Sequence, residues 1–202
     1  MRRLLVALLA GALVVLAGCT DAPSITAPDA STRVDVDTPE LRKMRAEARM
    51  EPCPDLSNAS GGTSALPAVT LPCLGGGPEL DLRSLTGPAV IPVWAQWCAP
   101  CREELPWYER LHRSTDGRLT VLGVDWQDLQ PEGALALAAE LGVTFPSVAD
   151  VDAELEDGAR GLPLVYFVSA EGEVTPWRGR LKGFSDLAER VARHTGVAVS
   201  AG

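Results

Sequence analysis

The sequence predicts an α/β sandwich of three layers, a mixed central sheet flanked by helices. Three observations lead there. Two continuous apolar runs of strand length, Ala89 to Ala95 (AVIPVWA) and Leu119 to Val124 (LTVLGV), are each followed by a helical pattern, which is the alternation of a buried parallel sheet. A later pair of runs, Leu164 to Val168 and Glu173 to Trp177, flanks the turn Ser169-Ala170-Glu171-Gly172 and reads as an antiparallel hairpin. A chain of 202 residues, 46% hydrophobic and 22% charged, holds one ordinary domain with appendages.

From the N-terminus, Met1-Arg2-Arg3 is a short basic stretch and Leu4 to Ala17 an uncharged apolar run, too short for the roughly 20 residues that span a bilayer. The run ends in Ala17-Gly18-Cys19, which resembles the lipobox of bacterial lipoproteins. Residues 1–18 are therefore expected to be a lipoprotein signal peptide and Cys19 the lipidated residue, with an ordinary cleavable signal as the alternative. Residues 19–52 read as a tether: Thr20 to Pro39 is rich in Asp, Ala, Pro, Ser and Thr, and Glu40 to Met50 has the composition of a short helix. Residues 53–202 form the expected domain, with its core over about 66–197.

Within it, Cys53 to Pro67 is turn-rich and Ala68 to Leu71 is a short strand. Ala89 to Ala95 is the first buried strand, with Pro92 inside it suggesting a bulge. Ala99 to about Arg113 is a helix with Leu105, Tyr108 and Leu111 on one side. Leu119 to Val124 is the second buried strand, and Pro131 to Leu141 a helix opened by proline and closed by Gly142. The hairpin follows, and Phe184 to His194 is the last helix.

The chemistry is concentrated where the first buried strand hands over to its helix, at Trp97-Cys98-Ala99-Pro100-Cys101. A dithiol exchange catalyst needs one thiol that ionises readily and a second close enough to attack the mixed disulfide it forms. Cys98 at a helix N-terminus meets unsatisfied N–H groups and the positive end of the helix dipole, which lower a thiol pKa from about 8.5 toward about 7 or below. Cys98 is thus the expected exposed nucleophile and Cys101, one turn deeper, the resolving thiol; the pair needs no cofactor. A zinc site would require two further ligands at matching spacing, and an inert disulfide is the other bland reading. Copper handling is a sharper rival, but it wants a nearby histidine, and His112 and His194 are the two the chain contains.

Five cysteines make an odd number. Lipidating Cys19 and pairing Cys98 with Cys101 leaves Cys53 and Cys73 for each other, as a structural disulfide in a compartment that permits one.

The region from about Leu66 to Val197 resembles the thioredoxin-like family, and within it the membrane-tethered thiol-disulfide oxidoreductases linked to cytochrome c maturation. The Trp97-to-Cys101 motif, Pro106 in the same helix and Glu104 three positions after Cys101 carry the resemblance. It implies proton exchange between Glu104 and the resolving thiol; a solvated helical glutamate is the alternative. It implies a cis peptide bond before Pro163, with a plain trans proline opening a strand as the alternative, and places Trp97, Leu162 and Pro163 on the substrate side, Leu162 pairing its main chain with an extended substrate. Thioredoxin itself keeps a buried acid where this chain has Pro92, so proton handling is expected elsewhere, which again points to Glu104.

The formal net charge of −9 argues against nucleic acid as a partner. The expected partners are extracytoplasmic proteins with cysteines, apocytochrome c among them, together with a membrane thiol donor or acceptor. The expected location is the outer face of a bacterial cell membrane, held by a lipid anchor. The Ala-Pro dipeptide and Glu104 favour a reductant; an oxidant of exported proteins is the alternative, and a non-catalytic lipoprotein of the same fold a further one.

Overall fold

The computed structural model describes residues 34–56, 64–155 and 161–200. The expected signal peptide and Cys19 lie outside the described residues, as does the first part of the tether.

The first helix, α1 (Pro39–Ala48), starts where Thr38 Oγ1 accepts the Leu41 N–H at 3.2 Å and stops where Arg49 takes a left-handed conformation. Two short strands, β1 (Thr70–Leu71) and β2 (Leu80–Asp81), pair antiparallel. The main sheet contains β3 (Ala89–Trp94), β4 (Thr120–Val121), β5 (Gly123–Trp126), β6 (Ser147–Asp150), β7 (Leu164–Val168) and β8 (Val174–Arg178). Their order is β6-β5-β3-β7-β8, with β4 also on β3. Strands β3, β4, β5 and β6 run parallel and β7 and β8 antiparallel to their neighbours, the mixed sheet the sequence predicts. The helices α2 (Ala99–Thr115), α3 (Pro131–Leu141) and α4 (Phe184–Thr195) complete the fold.

The core has two parts that meet the two faces of the sheet. The four helices among the described residues all contribute to the larger, with Leu41, Leu105, Leu135 and Leu187 among residues packed with Val90, Trp94 and Phe167. The opposite face, with Ala89, Ile91 and Val93, is covered by Leu71, Leu80, Leu82 and Leu85 from the β1-β2 region. Three layers result, and β3 is buried along its whole length. Among the described residues no helix is long and apolar enough to cross a membrane.

Pro92 produces no bulge. Its pairing with Val165 continues an unbroken β3-β7 register, and the pairs Ala89↔Thr120 and Trp94↔Asp125 keep one offset on the other side. What Pro92 does is remove a donor. The Leu122 N–H donates to the Val90 carbonyl at 3.1 Å, but the bond returned to the Leu122 carbonyl would have to come from residue 92, which has no N–H. The ladder lapses there, so the single strand expected over 119–124 is divided into β4 and β5.

Cys53 and Cys73 are joined in a disulfide with Cα atoms 6.0 Å apart, the pairing expected from the cysteine count. Cys73 bridges to Val148 on the free edge of β6, and the Leu74 N–H donates to the Ser147 carbonyl at 2.9 Å. The disulfide therefore holds a covering segment against the sheet edge, which blunts it toward other chains.

Candidate active site

The parallel strand β3 ends at Trp94, and the chain turns through Ala95, Gln96 and Trp97 into α2. The Cys98 N–H donates to the Ala95 carbonyl at 3.0 Å, which folds the turn back on the strand end. Cys98 is the N-cap of α2, with Pro100 within the first turn where a missing N–H costs little. Its Sγ accepts the Cys101 N–H at 3.3 Å, so an N–H of the helix start points at the sulfur. Cys98 and Cys101 are disulfide-bonded, with Cα atoms 5.3 Å apart.

From its place at a helix start, Cys98 is expected to be exposed. In this oxidised form Cys98 is 5% exposed and Cys101 3%. The exposed member of the motif is Trp97, at 53%, whose Nε1–H donates to the Gln127 carbonyl at 3.2 Å and whose ring stands 6.3 Å from that of Trp126. Cys98 thus lies beside an exposed aromatic side chain and is itself mostly covered.

Glu104 lies three residues after Cys101 on the same face of α2, and it is not a solvated glutamate. It is 1% exposed, and its Oε1 accepts the Leu181 N–H at 2.8 Å. Burial raises its pKa to about 7; the Leu181 N–H and the Arg180 charge pull the other way without offsetting it. Next to it, Glu103 pairs with Arg180 at the surface. That ion pair anchors the loop whose backbone caps Glu104.

The Leu162–Pro163 peptide bond is cis, as the sequence resemblance implied. Pro163 immediately precedes β7, whose Leu164 pairs with Val93, so it stands at the end of the sheet from which Trp94 to Cys98 emerge. Leu162 is half-buried there. Trp97, Cys98, Leu162 and Pro163 are therefore gathered at one sheet end by the β3-β7 register, and Cys101 and Glu104 follow on α2.

The two histidines are placed for other roles. His112 is fourteen residues along α2 from Cys98, about 20 Å at helical rise, with its Nε2 3.1 Å from Glu51 Oε1 and its edge toward Phe145. His194 stacks on Phe167, ring centres 5.3 Å apart, and burial lowers its pKa. Neither arrangement offers the cysteine pair a third metal ligand. An open groove of about 590 Å³ lined by Pro106, Arg110, Arg113 and Leu141 lies farther along α2 and holds none of the motif residues.

Three polar residues next to the motif escaped the sequence reading. Asp128 Oδ2 accepts the Gln96 N–H at 3.0 Å and its Oδ1 accepts Gln96 Nε2–H at 3.0 Å and the Gln130 N–H at 3.0 Å. Asp125, on β5 beside Trp94, is 2% exposed, and burial followed by the Asp128 charge pushes its pKa well above the carboxylate range. A lone acid ending the run Leu122-Gly123-Val124-Asp125 was the available signal; it reads equally as a strand end.

Residues 63–176 match the model of the AhpC/TSA family. The chain is 31% identical over 123 residues to the thiol:disulfide interchange protein CycY of Rhizobium leguminosarum bv. viciae, covering 59% of each. It is 37% identical over 87 residues to the thiol:disulfide interchange protein DsbE of Allochromatium vinosum, covering 42% of this chain and 46% of that one. The matches thus span about half of these relatives' lengths. Among solved structures, that of MTB dsbF in its mixed oxidized and reduced forms superposes with a TM-score of 0.56 at 30% identity, over 65% of this chain and 100% of the other.

Proposed function

The chain belongs to the AhpC/TSA family and has a thioredoxin-like fold, and from this we propose that it is a thiol-disulfide oxidoreductase acting on protein cysteines through Cys98 and Cys101. The observation that carries the proposal is the Cys98–Cys101 disulfide at the N-cap of α2, with a helix N–H on the Cys98 sulfur. The relatives named as thiol:disulfide interchange proteins support the same reading.

In the reducing direction, the Cys98 thiolate attacks one sulfur of a substrate disulfide. That S–S bond breaks, a mixed disulfide forms and a substrate thiolate leaves. Cys101 then loses its proton and attacks Cys98 Sγ, which expels the second substrate thiolate and closes the Cys98–Cys101 disulfide. Two electrons pass to the substrate, and the two thiolates it gains take up protons. Glu104 is the group proposed to accept the Cys101 proton: it is buried, on the same helix face, and its pKa of about 7 lets it exchange a proton near neutrality. Trp97, Leu162 and Pro163 form the substrate side, and Leu162 offers main-chain pairing to an extended cysteine-containing segment.

The proposed direction is reduction, with disulfides of exported proteins, apocytochrome c among them, as substrates and a membrane thiol donor restoring the dithiol. The proposed anchor is a lipid on Cys19, which would hold the domain on the extracytoplasmic face of the membrane. One contact favours the opposite direction: the Cys101 N–H on Cys98 Sγ stabilises a thiolate and hence the reduced form, which makes a disulfide more oxidising. The reduction potential of the pair decides. A value near or below about −270 mV supports the reductant, and one near about −120 mV the oxidant.

A further inference from the structure

Gln96 stands two residues before Cys98, and everything that holds it comes from the neighbouring strand end and helix. Asp128 takes its backbone N–H on one oxygen and its side-chain amide on the other, while the amide also donates to the Gln130 carbonyl and reaches Gln130 Oε1, each at 3.2 Å. Room for this arrangement depends on Gly133 in the first turn of α3. A Cβ there would stand 2.1 Å from Gln96 Oε1 and 2.5 Å from Nε2.

Asp128 is itself 3% exposed and neighbours Asp125, whose pKa burial raises first and the Asp128 charge second. Two adjacent carboxyl groups can hydrogen-bond to one another only with a proton on one of them. Asp125 is the one in the deeper position, on β5 and paired in register with Trp94, and its Oδ1 has no partner among the described residues. A hydroxyl on Asp125 would donate to Asp128, whose oxygens accept the N–H groups of Gln96 and Gln130.

We propose that Asp125, Asp128 and Gln96 form a positioning clamp for the redox turn, in which the Asp125 hydroxyl holds Asp128 and Asp128 fixes Gln96 so that Cys98 keeps its place at the start of α2. The consequence for catalysis rests on the proposed oxidoreductase function; the clamp itself acts on Cys98 whether or not a substrate is present. It works through position and not through contact with the reacting sulfurs. The clamp also ties the Gln127–Gln130 loop to the motif, because Trp97 Nε1–H donates to Gln127 and Asp128 accepts from Gln130.

The test must separate position from charge, since removing Asp128 would change both. Gly133→Ala leaves both carboxyls in place, suits a helix better than glycine, and displaces the Gln96 amide. In the reduced full chain with Cys101→Ala, the pH profile of Cys98 alkylation is measured for the background and for Gly133→Ala, Asp125→Asn and Asp125→Leu. Loss of the helix-start interaction predicts alkylation about two- to fivefold slower at pH 7 in Gly133→Ala, with its profile displaced to higher pH and its thermal midpoint unchanged or raised. Asp125→Asn, which keeps a donor for Asp128, retains the background profile, and Asp125→Leu behaves like Gly133→Ala. The proposal is overturned if Gly133→Ala folds and alkylates like the background, or if Asp125→Asn is as impaired as Asp125→Leu. Should Asp125→Leu fail to fold, Gly133→Ala decides alone. A wild-type chain that exchanges no disulfides, while these profiles follow the expected pattern, would remove the oxidoreductase reading and leave the clamp.

Discussion

At the scale of residues, the redox motif was readable because its spacing and its place after a buried strand are both properties of the sequence. Glu104 was readable only as a motif match. Its burial comes from the Leu181 backbone, 77 positions away, which no local pattern announces. Asp125 and Asp128 carry no role legible in the sequence, since their meaning depends on facing each other and Gln96 across a turn. The raised pKa of Glu104 has a stability consequence with a definite sign. Its folded value of about 7 exceeds its ordinary 4.5, so the folded chain binds this proton more tightly than the unfolded one. That contribution is complete below about 4.5 and is lost as pH rises through about 7. Urea unfolding at pH 5 and pH 8 is therefore expected to show Glu104→Gln gaining on the wild type by up to about 3 kcal/mol between the two. A difference that does not change with pH would contradict the buried, proton-holding Glu104. In exchange assays the same variant should still form mixed disulfides but resolve them more slowly.

At the scale of elements, Pro131–Leu141 and Leu164–Val168 were found where the sequence placed them, since a proline start with a glycine stop and an unbroken apolar run are strong local signals. The strand β6 was missed because Ser147-Val148-Ala149-Asp150 has the look of a loop; all four residues are buried by the neighbours β5 and Cys73. Pro92 was recognised as unusual, but its effect falls on the partner strand, which sequence alone does not identify. The link between α2 and β6 is also invisible locally. Glu109 in α2 accepts the Thr144 N–H and Thr144 Oγ1–H, each at 2.7 Å, and so fixes the segment leading into β6. Glu109→Ala leaves those donors without their charged acceptor and is expected to cost about 2–4 kcal/mol in a denaturant titration. A cost within about 0.5 kcal/mol, the range of ordinary surface substitutions, would show that this link does not support the sheet.

At the scale of the whole molecule, the two disulfides stand in different settings, Cys98–Cys101 at the start of α2 and Cys53–Cys73 against the edge of the sheet. Cys53–Cys73 closes a stretch with a sequence separation of 20, and Arg45 from α1 lies over it, Nη1 being 3.7 Å from Cys73 Sγ. Replacing both cysteines by alanine is expected to lower stability by about 3 kcal/mol while leaving Cys98 alkylation unchanged, which unfolding curves and thiol labelling check together. The three-layer order was legible because strand, helix and hairpin patterns follow one another along the chain. Which material covers the second sheet face was not, because the residues around Leu80 and Leu82 form only short pieces of regular structure. The account as a whole rests on Cys98 being the attacking thiol, and trapping tests this most directly. The full-length chain carrying Cys101→Ala is produced in its host, and proteins linked to it are separated without reductant and mapped by mass. The account predicts mixed disulfides at Cys98 with extracytoplasmic proteins, and none from the Cys98→Ala chain. Finding no linked protein in the first chain, or links through Cys101 in the second, would contradict it.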